Sequence, residues 1–159
     1  MLGRVRATYF FRDSWHVAAS PERVRDVVID LERYPLWWPQ VVAVASLGPD
    51  DARVLCRSAL PYTLDLVLHA VTRELPVLEV EVSGDLAGRI GFTVTEEPGR
   101  AGGAGGARLD FAQEVVVSGP LAVASRVARP LLIWNHERMM RGCRQGLARR
   151  LAEQAPETH

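Results

Sequence analysis

The stretch ASPERVRDVVIDLERYPLWWP, residues 19–39, decides the fold. Ser20 ahead of Pro21 is a helix start. A serine hydroxyl can accept from an orphan N–H of the first turn, and proline fits the first helical position, where its missing N–H costs nothing. Arg23 at the third helical position leaves the reciprocal acid of a capping box absent. Val24, Val27, Val28 and Leu31 recur at helical spacing, which predicts a short helix over roughly 21–33. Asp30 is placed to cap a second turn reaching Tyr34. Pro35 and Pro39 bracket Leu36, Trp37 and Trp38, and prolines this close predict a rigid, extended aromatic connection. In an extended segment, adjacent tryptophans point to opposite sides, and Trp38 is the one expected to face inward.

On both sides of this stretch the pattern is strand. Val5, Ala7, Tyr9, Phe11, Trp15 and Val17 share one face of a half-buried strand, interrupted only by Asp13. From 40 to 117 the period of two repeats, with turn signals at 48–51, 60–61, 75–76 and 83–85. Tyr62, Leu64, Leu66 and Leu68 form one inward series, and Leu78, Val80 and Val82 another. Ile90, Phe92 and Val94 continue the meander. The run PGRAGGAGGA, 98–107, reads as a hairpin tip before the strand carrying Leu109, Phe111, Val115 and Val117. It lacks the Lys-Ser/Thr pair and following helix of a phosphate cradle.

After Gly119 and Pro120 the chain reads as helix to about Glu153, interrupted or bent at Pro130. Leu132, His136, Met139, Met140, Cys143, Leu147 and Leu151 fall on one face, with Arg138, Arg141, Gln145 and Ala148 opposite. Gly142 and Gly146, one turn apart, permit close approach of another element.

Composition excludes several classes. The 159 residues fit one domain spanning 1–159 that buries a core without disulfides. Nineteen basic residues, all Arg, balance nineteen acidic ones, so there is no electrostatic case for nucleic acid. The bias to Arg, Ala, Gly and Val fits a GC-rich genome. Cys56 and Cys143 lack metal-ligand or redox spacing and read as buried free thiols. No leader pattern and no apolar run of about eighteen residues is visible, so a cytoplasmic protein without a membrane span is expected. Monomer and homodimer both stay open.

The order strand, two short helices, six strands, long helix is the helix-grip arrangement. VAASP (17–21), Val24, Val27, Val28, DLERYPLWWP (30–39), GDLAG (84–88) and the helix around Asn135–Gly146 resemble the START and birch-pollen-allergen superfamily. The likeness is nearest to its bacterial polyketide cyclase/dehydrase and lipid-transport branch. It implies an α+β fold in which a curved antiparallel sheet of about seven strands wraps a long C-terminal helix. It also implies an apolar cavity between them, since a curved sheet cannot touch a straight helix along its length. One fold serves many functions, so the site decides.

His136, near the centre of the apolar helical face, is the candidate catalytic residue: burial disfavours imidazolium, which leaves a neutral base or a ligand-orienting group. A buried structural histidine is the alternative. Trp38, Tyr62, Gln113, Leu132, Asn135, His136, Met139 and Met140 are the expected ligand-binding set. Gln113 has the inward register, and Asn135 either meets ligand or satisfies backbone freed by the helix bend. Arg57, if it projects inward, is an anion anchor. Asp65 and His69 read as solvated, and Asp85 as part of a turn. No serine-nucleophile elbow, no HExxH and no grouping among His16, His69, His136 and His159 suggests a metal or a cofactor. Binding or carriage of a lipid, isoprenoid or polyketide-like molecule is the first reading. A cofactor-independent aromatase/cyclase is the second, and a co-chaperone-like interaction domain the third.

Overall fold

The computed structural model describes residues 6–57, 63–99, 105–118 and 120–154. Strand β1 (Arg6–Val17) leads into helix α1 (Pro21–Val28), a 3-10 turn (Leu31–Arg33) and α2 (Tyr34–Trp37). Six strands follow: β2 (Val41–Ser46), β3 (Asp51–Arg57), β4 (Thr63–Thr72), β5 (Val77–Gly84), β6 (Ala87–Glu97) and β7 (Gly106–Ser118). Helices α3 (Pro120–Val127) and α4 (Arg129–Glu153) close the chain. All seven strands form one antiparallel curved sheet in the order β1-β7-β6-β5-β4-β3-β2. β2 to β7 are a meander. β1 instead pairs with β7, from Arg6 opposite Ser118 to Val17 opposite Ala107.

Irregularities in register between Val41 and Ala43, and between Ala70 and Thr72, bend the sheet, as an extra residue on one strand does. The inward series read from periodicity is the core. Tyr9, Trp15 and Val17 from β1, Leu66 and Leu68 from β4, and Leu109 and Phe111 from β7 are all buried. Cys143, Leu147 and Leu151 of α4 close over them, and Cys56 and Cys143 are both buried free thiols.

Ser20 caps α1, its Oγ accepting from Arg23 N–H at 3.3 Å, with Pro21 in the first turn. Ser20→Ala removes that acceptor and should lower stability by about 1 kcal/mol in urea titration. A change near zero would mean that Val24, Val27 and Val28, buried on α1, hold the helix without its cap.

Four expectations change. The helix predicted over 21–33 is two elements, because the chain leaves helical geometry at Ile29 and Asp30. Asp30 makes no side-chain cap; its carboxylate pairs with Arg33 at 2.6 Å instead. The segment expected to be extended contains the helical turn Tyr34–Trp37, with Pro35 in the first turn, where no N–H is missed. That turn swings both tryptophans inward: Trp37 is 3% exposed and Trp38 packs against the same core. The C-terminal helix breaks at Ala128, two residues before Pro130, and Pro130 sits in the first turn of α4 for the same reason as Pro35.

Candidate functional site

The strand register lays Phe11, Gln113, Ile90, Val80 and Ala70 in one row across the concave face. A neighbouring row runs through Tyr9, Val115, Val82, Leu68 and Ala52. Over both lies α4, and between sheet and helix is a cavity of about 340 Å³, large enough for a small organic molecule.

Trp38, Gln113, Leu132, Asn135, His136, Met139 and Met140 all line it, whereas Tyr62 lies outside the described residues. Asn135 is the one buried polar side chain among the described residues. Met140 is also buried and Met139 half-buried, one turn of helix beyond His136. Trp38 is fixed at its polar end, where Nε1 donates to the Met139 carbonyl at 3.0 Å, so its ring forms wall without leaving an unpaired donor.

His136 is held on two sides. Its Nε2 lies 3.0 Å from Gln113 Oε1, and its ring stacks on Phe11 with centroids 3.7 Å apart and planes 12° off parallel. An amide oxygen only accepts, so this geometry selects the Nε2–H tautomer and leaves Nδ1 as the acceptor. Burial lowers the His136 pKa to about 4, against the raising effect of Asp13, so the ring is neutral at pH 7.

Phe11 lines the cavity, and Asp13, which does not line it, stands near enough to act on His136; neither is among the residues the sequence points to for the site. The signal was present: alternation puts both on the inward face of β1, opposite Gln113 and Phe111 respectively. Asp13 interrupts an otherwise apolar series. It is a half-buried carboxylate 3.5 Å from the Arg144 guanidinium.

The remaining polar candidates point elsewhere. Arg57 is exposed and does not line the cavity. Asp65 pairs with Arg53 on the outer face, which holds its carboxyl below the usual range, and His69 pairs with Asp51, which raises its pKa. Asp85 belongs to the β5–β6 turn, its Oδ2 accepting from Asp65 N–H at 2.8 Å. One rim of the cavity carries Asp30, Glu32, Asp50 and Asp51 with, among the described residues, a single arginine, Arg73. That guanidinium is engaged by Asp50 at 2.8 Å and by the Pro49 carbonyl. Burial raises the thiol of Cys56, another lining residue, to about 11, so it stays protonated. Among the described residues no group of His, Cys, Asp and Glu is arranged to hold a metal, and no helix is long and apolar enough to cross a membrane.

No protein-family model and no curated protein sequence matches the chain. Solved structures do. A START superfamily protein from Mycobacterium smegmatis superposes with a TM-score of 0.72 at 18% identity, covering 92% of this chain and 99% of the other. The Zhui aromatase/cyclase from Streptomyces sp. R1128 superposes with 0.72 at 12% identity, covering 93% and 96%. Norcoclaurine synthase from Thalictrum flavum, in complex with dopamine and hydroxybenzaldehyde, gives 0.63 at 14% identity, covering 96% and 91%. Likeness at such low identity speaks for architecture and leaves chemistry to the site. The chain has the START-type helix-grip fold.

Proposed function

We propose that this protein binds or carries an apolar small molecule that bears a neutral oxygen, such as a ketone, a quinone-like isoprenoid or a polyketide-like chain. The observation that carries this reading is the His136–Gln113 pair set into a wall otherwise built from Phe11, Ile90, Leu132 and Met139. The pair offers an amide with two N–H donors and an imidazole acceptor, both neutral. Arg73, the one arginine lining the cavity among the described residues, is already engaged by Asp50, so a carboxylate ligand would be desolvated there without a free guanidinium to pair it. A neutral ligand avoids that cost.

Catalysis in the manner of an aromatase/cyclase is the second reading, and the stacked, positioned His136 favours it. Its pKa near 4 counts against it, since a general base works best with a pKa near the operating pH. Binding therefore comes first.

The test is uptake of the neutral probe N-phenyl-1-naphthylamine, followed by displacement with a long-chain ketone and the alkane of equal length. Wild type should take up the probe and prefer the ketone. Gln113→Leu should keep the alkane affinity and lose about threefold to tenfold for the ketone, the value of one ordinary hydrogen bond. Absence of probe uptake by wild type would overturn the proposal. Turnover of a model poly-β-ketone that disappears in His136→Ala would move the assignment to the enzyme reading.

A further inference from the structure

Residues 120–154 hold seven of the chain's nineteen arginines but only Glu137 and Glu153 among its carboxylates, a net charge of +5 within a chain of zero net charge. The same segment carries an apolar surface. Val123, Val127, Leu131 and Trp134 are all exposed, Val127 to 86% and Trp134 to 48%. They lie where α3 gives way to α4, a junction that neither covers with the other.

Exposed arginines accompany these side chains along the two helices. Arg126 and Arg129 flank the junction, and Arg138 stands over the Trp134 ring, 5.8 Å from its centroid. Arg141, one turn further on, is exposed as well.

We propose that this α3–α4 shoulder docks the protein on a lipid bilayer bearing anionic headgroups. A bilayer interface accepts this combination: apolar side chains and the tryptophan ring enter the boundary between headgroup and acyl chain, while arginines meet phosphate oxygens. A second copy of the same face is a poor occupant, because self-association would oppose one cationic surface to another. The shoulder also adjoins the cavity. Leu131 points outward while Leu132, its neighbour in the chain, lines the cavity, and Arg129 lies over the ring of Tyr9, another lining residue. Docking here holds one end of the cavity against the membrane. This shoulder would dock, whatever ligand the cavity takes.

Trp134 makes the test direct. Of the four tryptophans it is the exposed one, since Trp15 and Trp37 are buried and Trp38 is half-buried. Vesicles of brominated phosphatidylcholine, with and without phosphatidylglycerol, would be mixed with the full chain, and both co-sedimentation and fluorescence quenching read. Binding and quenching are expected only with phosphatidylglycerol, and both should weaken as salt screens the charges. Leu131→Glu, at an exposed position, should keep the circular dichroism spectrum of wild type and weaken partition by about tenfold or more, from the lost burial of one leucine. Arg138→Glu with Arg141→Glu should weaken it further, and Trp134→Phe should keep binding while losing most of the quenching.

No co-sedimentation of wild type with phosphatidylglycerol vesicles, or equal binding by Leu131→Glu, would overturn the proposal. So would a dimer in light scattering that Leu131→Glu dissolves, which assigns the patch to a second copy. Probe uptake without vesicle binding leaves the cavity reading intact and removes this one. Vesicle binding without probe uptake does the reverse.

Discussion

Gly146→Val should leave little folded protein. A Cβ at Gly146 would overlap the Trp37 carbonyl oxygen and its carbon, which belong to backbone and cannot rotate away. Relief requires α4 to lift from α2. That separates the helix from the aromatic cluster in which Trp37 stacks on Trp38, and it threatens the Trp38–Met139 bond. Overpacking a core commonly costs about 1–3 kcal/mol, and more where backbone must shift. Whole domains hold only about 5–15 kcal/mol in reserve, so this one substitution should consume much of it. Gly142→Ala is the informative contrast. There the new methyl meets the Gln40 side-chain amide, which can swing aside, and the loss should be clearly smaller. Urea unfolding followed by tryptophan emission would rank the three proteins. Equal stability of Gly146→Val and wild type would show that α2 and α4 do not pack as closely as described.

Acid should weaken the protein through His136 as pH falls from about 6.5 towards 4. The folded pKa near 4 lies below the ordinary histidine value of 6.5 because burial disfavours the charged ring. A depressed folded pKa means that the unfolded chain binds the proton more readily. The stabilisation is therefore complete above about pH 6.5 and is lost as pH falls towards 4, amounting to about 3 kcal/mol by linkage. Exposed His69 has the opposite sign: Asp51 raises its pKa, and that contribution fades as pH rises. Comparison with His136→Phe separates the two, since His69 and the carboxylates are common to both proteins. The stability difference between wild type and His136→Phe should shift in favour of the variant between pH 6.5 and 4. A pH-independent difference would place His136 in a more solvated setting than the stacked site beside Phe11.

Much of the architecture was legible because two periodicities write it openly. Alternation identified the inward series from Tyr9 to Val117, and the spacing from Leu132 to Leu151 identified the face of α4. Local backbone was harder. Pro35 and Pro130 both read as helix breakers, yet each occupies a first turn, where proline is tolerated, and sequence alone does not say which turn is first. The consequence was largest at Trp37, because a single helical turn reverses the direction that an extended segment assigns. His136 and Gln113 were each legible from their own element. Their meeting was not, since the angle at which α4 crosses β7 is set by tertiary packing. Asp13 was hidden for a different reason: a lone carboxylate on an apolar face looks like an irregularity until Arg144 arrives from across the chain.

The pairing of β1 with β7 has a consequence for how the chain comes into being. The first strand can form its ladder only with a partner emerging from the ribosome roughly a hundred residues later, while β2 to β7 can zip in order through neighbouring turns. During synthesis Tyr9, Phe11 and Trp15 therefore wait without a sheet to join. This long-range closure marks the N-terminal strand as the part of the nascent protein with most need of chaperone shelter.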